Sequence, residues 1–140
     1  MPNSIEEIAS VIGAKRVGNH PANIDWILTD SRSLCFPEET LFFALRTKRN
    51  DGHKYIPDLY SRGVRNFVVN DLPENVVHYN NCNFLIVTNV LKALQRLASK
   101  HRECYQVSVV GITGSNGKTV VKEWLYQLLS PERVITRSPR

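Results

Sequence analysis

The segment Val109-Val110-Gly111-Ile112-Thr113-Gly114-Ser115-Asn116-Gly117-Lys118-Thr119 has the residue types that cradle the phosphates of a nucleoside triphosphate. Glycines at 111, 114 and 117 let backbone N–H groups converge on an anion without side-chain interference. A helix opening near Gly117 adds the positive end of its dipole. Lys118 then reaches the β- and γ-phosphates, and the Thr119 hydroxyl can ligate Mg²⁺. The candidate cofactor-binding residues are Gly111, Thr113, Gly114, Ser115, Asn116, Gly117, Lys118 and Thr119. Lys118 is also the candidate catalytic group, and Thr119 the candidate metal ligand. The spacing departs from the common G-x-x-x-x-G-K-[ST] pattern, because Ile112 stands where that pattern has its first glycine. Read alone, Asn116-Gly117 would also suit a hairpin turn. The apolar positions after Thr119 recur at helical rather than alternating spacing, which rules the hairpin out.

Two shorter segments offer polar groups at predicted strand ends. Asp30, Ser31 and Arg32 follow one strand, at the place where α/β proteins put ligand contacts. The planar fork of Arg32 suits a diphosphate or a carboxylate. The plainer alternative is that Asp30 pairs with Arg32 or caps a turn. Asp51-Gly52-His53 has the same two readings, a substrate contact or a turn into a helix. His101 and Cys104 have an H-x-x-C spacing, but two ligands make no zinc site and no second pair follows. Trp26 and Trp124 sit on apolar-patterned elements and are expected in the core.

The elements that must position these residues alternate between strand and helix. Ser4-Ile5-Glu6-Glu7 is a capping box that opens a helix running through Val11 to Gly13. Strands are expected over 24–28 and 41–45, with Pro37 in the turn between them. A helix over 55–62 is closed by Gly63, and strands follow over 66–69 and 84–87. Val90, Leu91, Leu94, Leu97 and Ala98 recur at helical spacing and predict a helix over 89–102. A buried strand over 106–112 should feed the glycine loop. Val120, Val121, Trp124, Leu125, Leu128 and Leu129 then mark a second amphipathic helix, stopped before Pro131, with a strand starting at Val134-Ile135. The fold class is α/β. Residues 1–103 form a small α/β domain, and residues 104–140 open a second domain as strand, phosphate loop and helix. Those last pieces cannot build a core alone.

Composition narrows the function classes. The chain has 140 residues, 42% apolar and 22% charged, so a folded domain is expected rather than a disordered one. No apolar run approaches a membrane span, and the first ten residues lack the basic start of a secretory signal. Cys35, Cys82 and Cys104 are odd in number and widely spaced, as in a reduced cytoplasmic protein. The net charge is +5, with Lys92, Arg96, Lys100 and Arg102 on one predicted helix and Arg133, Arg137 and Arg140 near the end. A nucleic-acid stripe is one reading of these, and a solvated helix face with an anionic small-molecule site the other. No aromatic residues interleave the basic ones, as single-strand stacking would require.

The loop, written G-x-T-G-x-N-G-K-T, resembles the ATP site of the Mur ligases, cytoplasmic enzymes that build the peptide of bacterial peptidoglycan. A second segment agrees. Thr29-Asp30-Ser31-Arg32, then Leu41-Phe42-Phe43-Ala44-Leu45, then Asp51-Gly52-His53 and a helix into Gly63 look like that family's N-terminal, UDP-binding domain. The family usually has a glycine where Thr47 stands, and a threonine where Ser115 keeps only the hydroxyl. The resemblance implies ATP and Mg²⁺ as cofactors, and Asp30, Ser31, Arg32, Asp51, Gly52 and His53 as substrate-binding residues. The substrates it implies are a UDP-N-acetylmuramoyl tripeptide and D-alanyl-D-alanine, joined through an acyl phosphate. A cytoplasmic monomer with no nucleic-acid or membrane partner is expected. Family members have three domains, so a chain holding the first and the start of the second should be inactive by itself. A sister ligase adding the third peptide residue, a folate polyglutamate synthetase, and a non-catalytic UDP-sugar or nucleic-acid binding module are the alternatives.

Overall fold

Three short strands, β3 (Thr40–Phe43), β4 (Asn66–Val69) and β5 (Asn83–Ile86), are buried along almost their whole length. Parallel strands covered on both faces read as continuous apolar runs, as Phe67-Val68-Val69 does here. The computed structural model describes residues 3–139 and divides into two compact units, Met1–Tyr105 and Gln106–Arg140. The first unit holds a five-stranded sheet in the order β1-β5-β4-β3-β2, where β1 is Lys15–Val17 and β2 is Trp26–Leu28. Strands β2 to β5 run parallel, and β1 pairs antiparallel with β5, Arg16 facing Leu85.

Alternation along the strands divides the core in two. Leu41, Phe43, Val68 and Leu85 pack with α1 (Ile5–Ile12) and α3 (Val90–Glu103), through Ile8, Ile12, Val90 and Leu97. Phe42, Phe67 and Phe84 face the other way, toward Ile56 and Leu59 of α2 (Ile56–Ser61). Phe67 stacks on Phe84 with centroids 5.4 Å apart. Helix α1 is fixed at both ends. Ser4 accepts from the Glu7 N–H at 3.2 Å, and Gly13 closes the helix at φ 67°, a left-handed position that costs glycine nothing.

Strand β1 has no strong sequence signal, since Lys15-Arg16-Val17 offers one apolar residue. Polar bonds at the N-terminal sheet edge hold it. Buried Asn83 donates to Asn66 Oδ1 and to the His20 carbonyl, both at 2.8 Å, and its own Oδ1 accepts from Arg16. Arg16 also pairs with Glu6 and donates to the His20 carbonyl at 2.7 Å.

The second unit differs from expectation. Residues 106–117 form no strand, and Val107, Val109 and Val110 are 59%, 73% and 70% exposed. Val134 and Ile135 are likewise outside any strand. A strand exists only through its ladder, and this unit supplies no neighbour to pair with. Helix α4 (Lys118–Leu129) does form, because its hydrogen bonds are internal. No described residue of this unit is buried. Its chain end is tied to α4: Lys122 Nζ donates to the Ser138 carbonyl at 2.9 Å, and Arg137 pairs with Glu123 and lies over the Tyr126 ring.

Neither tryptophan is in a core. Trp124 is 62% exposed on α4, and Trp26, 49% exposed on the edge strand β2, stacks only on Phe36 at 5.1 Å. Apolar spacing marks a face but does not say that anything covers it. Arg140 lies outside the described residues, and among those described no helix is long and apolar enough to cross a membrane.

Because every buried residue among those described lies before 106, removing 106–140 should leave one cooperative unfolding transition. Its midpoint by circular dichroism should move by less than about 4 °C, the effect of under ~1 kcal/mol in a domain of this size. A truncated chain with no cooperative transition would disprove the independence of the first unit.

Candidate functional site

Helix α4 begins directly after a left-handed glycine, Gly117 at φ 77°, with Gly114 at φ 144° three residues earlier. Side chains rarely adopt such angles, so these two glycines are what the turn into the helix requires. Gly111 has neither a positive φ nor a close neighbour. No side chain caps α4, and its first turn carries no acidic residue. The first backbone N–H groups of the helix therefore have neither an intrahelical acceptor nor a side-chain cap. A Cβ built on Gly117 would meet nothing within 4 Å. Lys118 reaches back over the loop, its Nζ donating to the Gly114 carbonyl. Lys118 and Thr119 line a cleft of about 1160 Å³ together with Lys122, Arg133 and Arg137. Most of the cleft wall is apolar, with Val107, Val109, Ile112, Leu125 and Leu129, and Lys122 and Arg137 are already engaged by Ser138 and Glu123.

The loop fits a phosphate better than it fits a metal by itself. Thr119 supplies one hydroxyl oxygen, and the described residues contain no group of three His, Cys, Asp or Glu able to hold an ion. Mg²⁺ in such a loop takes most of its ligands from phosphate oxygens and water. The Cys104 thiol turns to the Lys100 carbonyl at 3.5 Å. Cys82 is buried, and desolvation pushes its thiol up to about 11.

The other candidate residues follow the C-terminal ends of β2 and β3. Asp30 accepts from the Arg32 backbone N–H at 3.0 Å and pairs with the Arg32 guanidinium, Nη2 to Oδ2, at 2.6 Å. The pairing alternative is thus the observed geometry. The Arg32 guanidinium, then its backbone N–H, hold the Asp30 carboxyl down at about 2. The Arg32 side chain is 87% exposed, so it remains open to a ligand on its outer side. Arg62 ties this turn to α2 by donating to the Ser31 carbonyl at 2.9 Å.

Asp51, Gly52 and His53 each have a visible structural role. Asp51 caps the turn Gly52–Tyr55 by accepting from the His53 N–H at 3.0 Å, and Arg46 Nε donates to its other oxygen at 2.9 Å. Desolvation raises the Asp51 carboxyl, but bonds from His53 and Arg46 together lower it below its ordinary value. The His53 ring accepts at Nε2 from the Asn70 N–H, 3.1 Å, so its proton sits on Nδ1 and is donated to Asp51, 2.6 Å. Both ring nitrogens are engaged. Gly52 passes so close to β3 that an added Cβ would lie 2.8 Å from backbone atoms of Ala44 and Leu45. Arg46, Arg62 and Asn70 carry this arrangement without any sequence motif to announce them. The one available signal was their position just beyond a strand or helix end.

No protein-family model matches the chain. Individual proteins do. The UDP-N-acetylmuramoyl-tripeptide–D-alanyl-D-alanine ligase of Synechocystis is 38% identical over 107 residues, 76% of this chain and 23% of the relative. The UDP-N-acetylmuramoylalanyl-D-glutamyl-2,6-diaminopimelate–D-alanyl-D-alanyl ligase of Acinetobacter baumannii matches in structure with TM-score 0.75 and 26% identity, over 94% of this chain and 29% of its own. The MurF ligase of Thermotoga maritima, solved in complex with ADP, matches with TM-score 0.65 and 28% identity, over 81% of this chain and 25% of its own. A mixed α/β unit with these likenesses defines a Mur ligase fold, and the chain belongs to the Mur ligase family. Within it, the relatives named above are of the MurF type, and the chain spans about a quarter of their length.

Two outcomes follow from the geometry. Gly52→Ala should destabilise the first unit by about 1–3 kcal/mol, the cost of overpacking against backbone, read from urea unfolding. An unchanged midpoint would mean that the turn can move away from β3. Asp30 is ionised well below its ordinary range, so its cap is intact above about pH 4 and is lost as pH falls through about 2. In Arg32→Ala the carboxyl ¹³C titration of Asp30 should rise toward 3.8, the value without the pair. No change in that titration would show that the pair does not persist in solution.

Proposed function

We propose that the chain is part of an ATP-dependent, cytoplasmic, monomeric ligase that joins D-alanyl-D-alanine to a UDP-N-acetylmuramoyl tripeptide. One observation carries this: a glycine loop at the start of a helix, with a folded-back lysine, occurs in a chain whose relatives include MurF ligases beside ligases that add 2,6-diaminopimelate. One of those relatives was solved with ADP. In this reading residues 1–103 bind the UDP-linked substrate, and residues 104–140 begin the ATP-binding domain.

The reaction makes an amide from a carboxylate and an amine. The γ-phosphoryl group passes to the terminal carboxylate of the tripeptide, giving an acyl phosphate. The dipeptide amine attacks the acyl carbon, and inorganic phosphate leaves. The backbone amides from Gly114 to Lys118 grip the phosphates, with Gly111, Thr113, Ser115 and Asn116 shaping the loop. Lys118 leaves the Gly114 carbonyl to neutralise charge on the migrating group. Thr119 would hold Mg²⁺, which would offset the negative charge of the phosphates. Ser31 and the exposed side of Arg32 contact the UDP-linked substrate. Asp30, Asp51, Gly52 and His53 shape that sheet edge.

In the complete ligase Lys118→Ala should lower kcat by about 10²–10³, the ~3–4 kcal/mol that one aimed donor gives a transition state. The 140-residue chain alone should bind ATP weakly and hydrolyse none, measured by calorimetry and phosphate release. Full activity in the Lys118 variant would refute the assignment of the loop, and tight ATP binding by this chain alone would refute the reading that residues 104–140 hold only part of the ATP site.

A further inference from the structure

Helix α3 carries four basic residues, Lys92, Arg96, Lys100 and Arg102, that play no part in the ligase reading. The structure divides them. Lys100 pairs with Glu103 at 2.9 Å, and Arg102 turns to the Tyr105 carbonyl. Lys92 and Arg96, one helical turn apart, instead line a cavity of about 280 Å³. Lys15 of β1 lines the same cavity, as do Asn70 and Thr88, which follow β4 and β5.

No carboxylate lines this space, and no ion pair among the described residues engages Lys15, Lys92 or Arg96. Arg96 gives one long bond, 3.4 Å, to the Ile12 carbonyl at the end of α1, which leaves its other donors unspent. Three cations in one concavity repel one another, and their shared wall focuses positive potential inward. An anion relieves that repulsion and gains all three attractions. The rim is fixed rather than adaptable: Asn70 Nδ2 donates to the carbonyls of Val87, 3.1 Å, and Thr88, 3.0 Å.

We propose that this cavity is a binding site for a small phosphate-bearing anion, held by Lys15, Lys92 and Arg96 with the Thr88 hydroxyl as a neutral partner. Its size suits a diphosphate or a phosphosugar. A nucleic acid is a poor fit, because the cations, although exposed, line one concavity instead of running along the helix, and half of the helix's basic residues named above are engaged elsewhere. The site shares no residue with the Asp30–Arg32 turn. Asn70 is the nearest link, since its N–H holds His53 while its side chain holds the cavity rim. The proposal stands whether or not the ligase reading does, because it rests on the cavity's own charge.

The test is a titration of the 140-residue chain with inorganic pyrophosphate, followed by backbone amide shifts. Saturable shifts at Thr88, Asn89 and Lys92 are expected, fitted separately from any at the loop 114–118, so that the affinity reported is the cavity's own. Lys92→Gln and Lys15→Gln should each weaken it by about tenfold, the worth of one charge-assisted bond. Lys48→Gln removes the same charge from an exposed residue outside the cavity and should leave the affinity unchanged. A competition with UDP separates two sources of the anion. Displacement assigns the cavity to the diphosphate of a nucleotide-linked ligand, and simultaneous binding assigns it to a separate phosphate compound. Shifts that spread over all basic residues without saturating, or an affinity that both cavity variants leave intact, would overturn the site.

Discussion

Covering a parallel sheet on both faces is the constraint on which the rest of the first unit depends. Phe43, Val68 and Leu85 must meet α1 and α3, while Phe42, Phe67 and Phe84 must meet α2. With both faces occupied, the strand ends are where backbone and polar side chains can reach solvent. Asp30 follows β2, Arg46 and Asp51 follow β3, Asn70 follows β4, and Thr88 follows β5. All belong to one sheet edge because strands β2 to β5 share a direction. A chain that ran any one of them backward would scatter these residues to opposite edges.

The second unit makes the same point by contrast. Residues 106–112 have the apolar character of a central strand, yet they form none, because a strand's hydrogen bonds lie between segments rather than within one. Helix α4 needs no neighbour for its ladder and forms, although Val120, Trp124 and Leu128 remain exposed. The glycine loop is set by what is local to it, the positive φ of Gly114 and Gly117 and the start of α4. The turn into α4 therefore forms without a flanking sheet.

Local chemistry was also what made parts of the chain legible from sequence. The Ser4 cap and Gly13 stop fixed α1 to within a residue, and Asn66–Val69 was readable as an apolar run between turn signals. Helix α3 was marked by Val90, Leu94 and Leu97 at helical spacing. Strand β1 was not legible, because its place is decided by Asn66, Asn83 and Arg16, separated by up to 67 positions. The exposure of Trp26 and Trp124 was missed because an apolar stripe does not disclose its partner. Nor could spacing show that Arg62 would anchor Ser31, or Asn70 would hold His53.

A motif that resembles a family's binding site also has work to do within the fold. Asp51 spends its oxygens on capping a turn and on Arg46, His53 spends both ring nitrogens on Asp51 and Asn70, and Gly52 is required by the backbone of Ala44 and Leu45. These contacts hold the turn that leads from β3 to α2. Arg32 is different. Its pairing with Asp30 uses one edge of the guanidinium and leaves an exposed fork, and no packing depends on it. Asp30 holds that fork in one orientation at little entropic cost to a later ligand. Of the two motifs at this edge, the second spends its polar groups within the fold, and the first leaves the outer side of the Arg32 guanidinium exposed. The division follows from which donors are already satisfied.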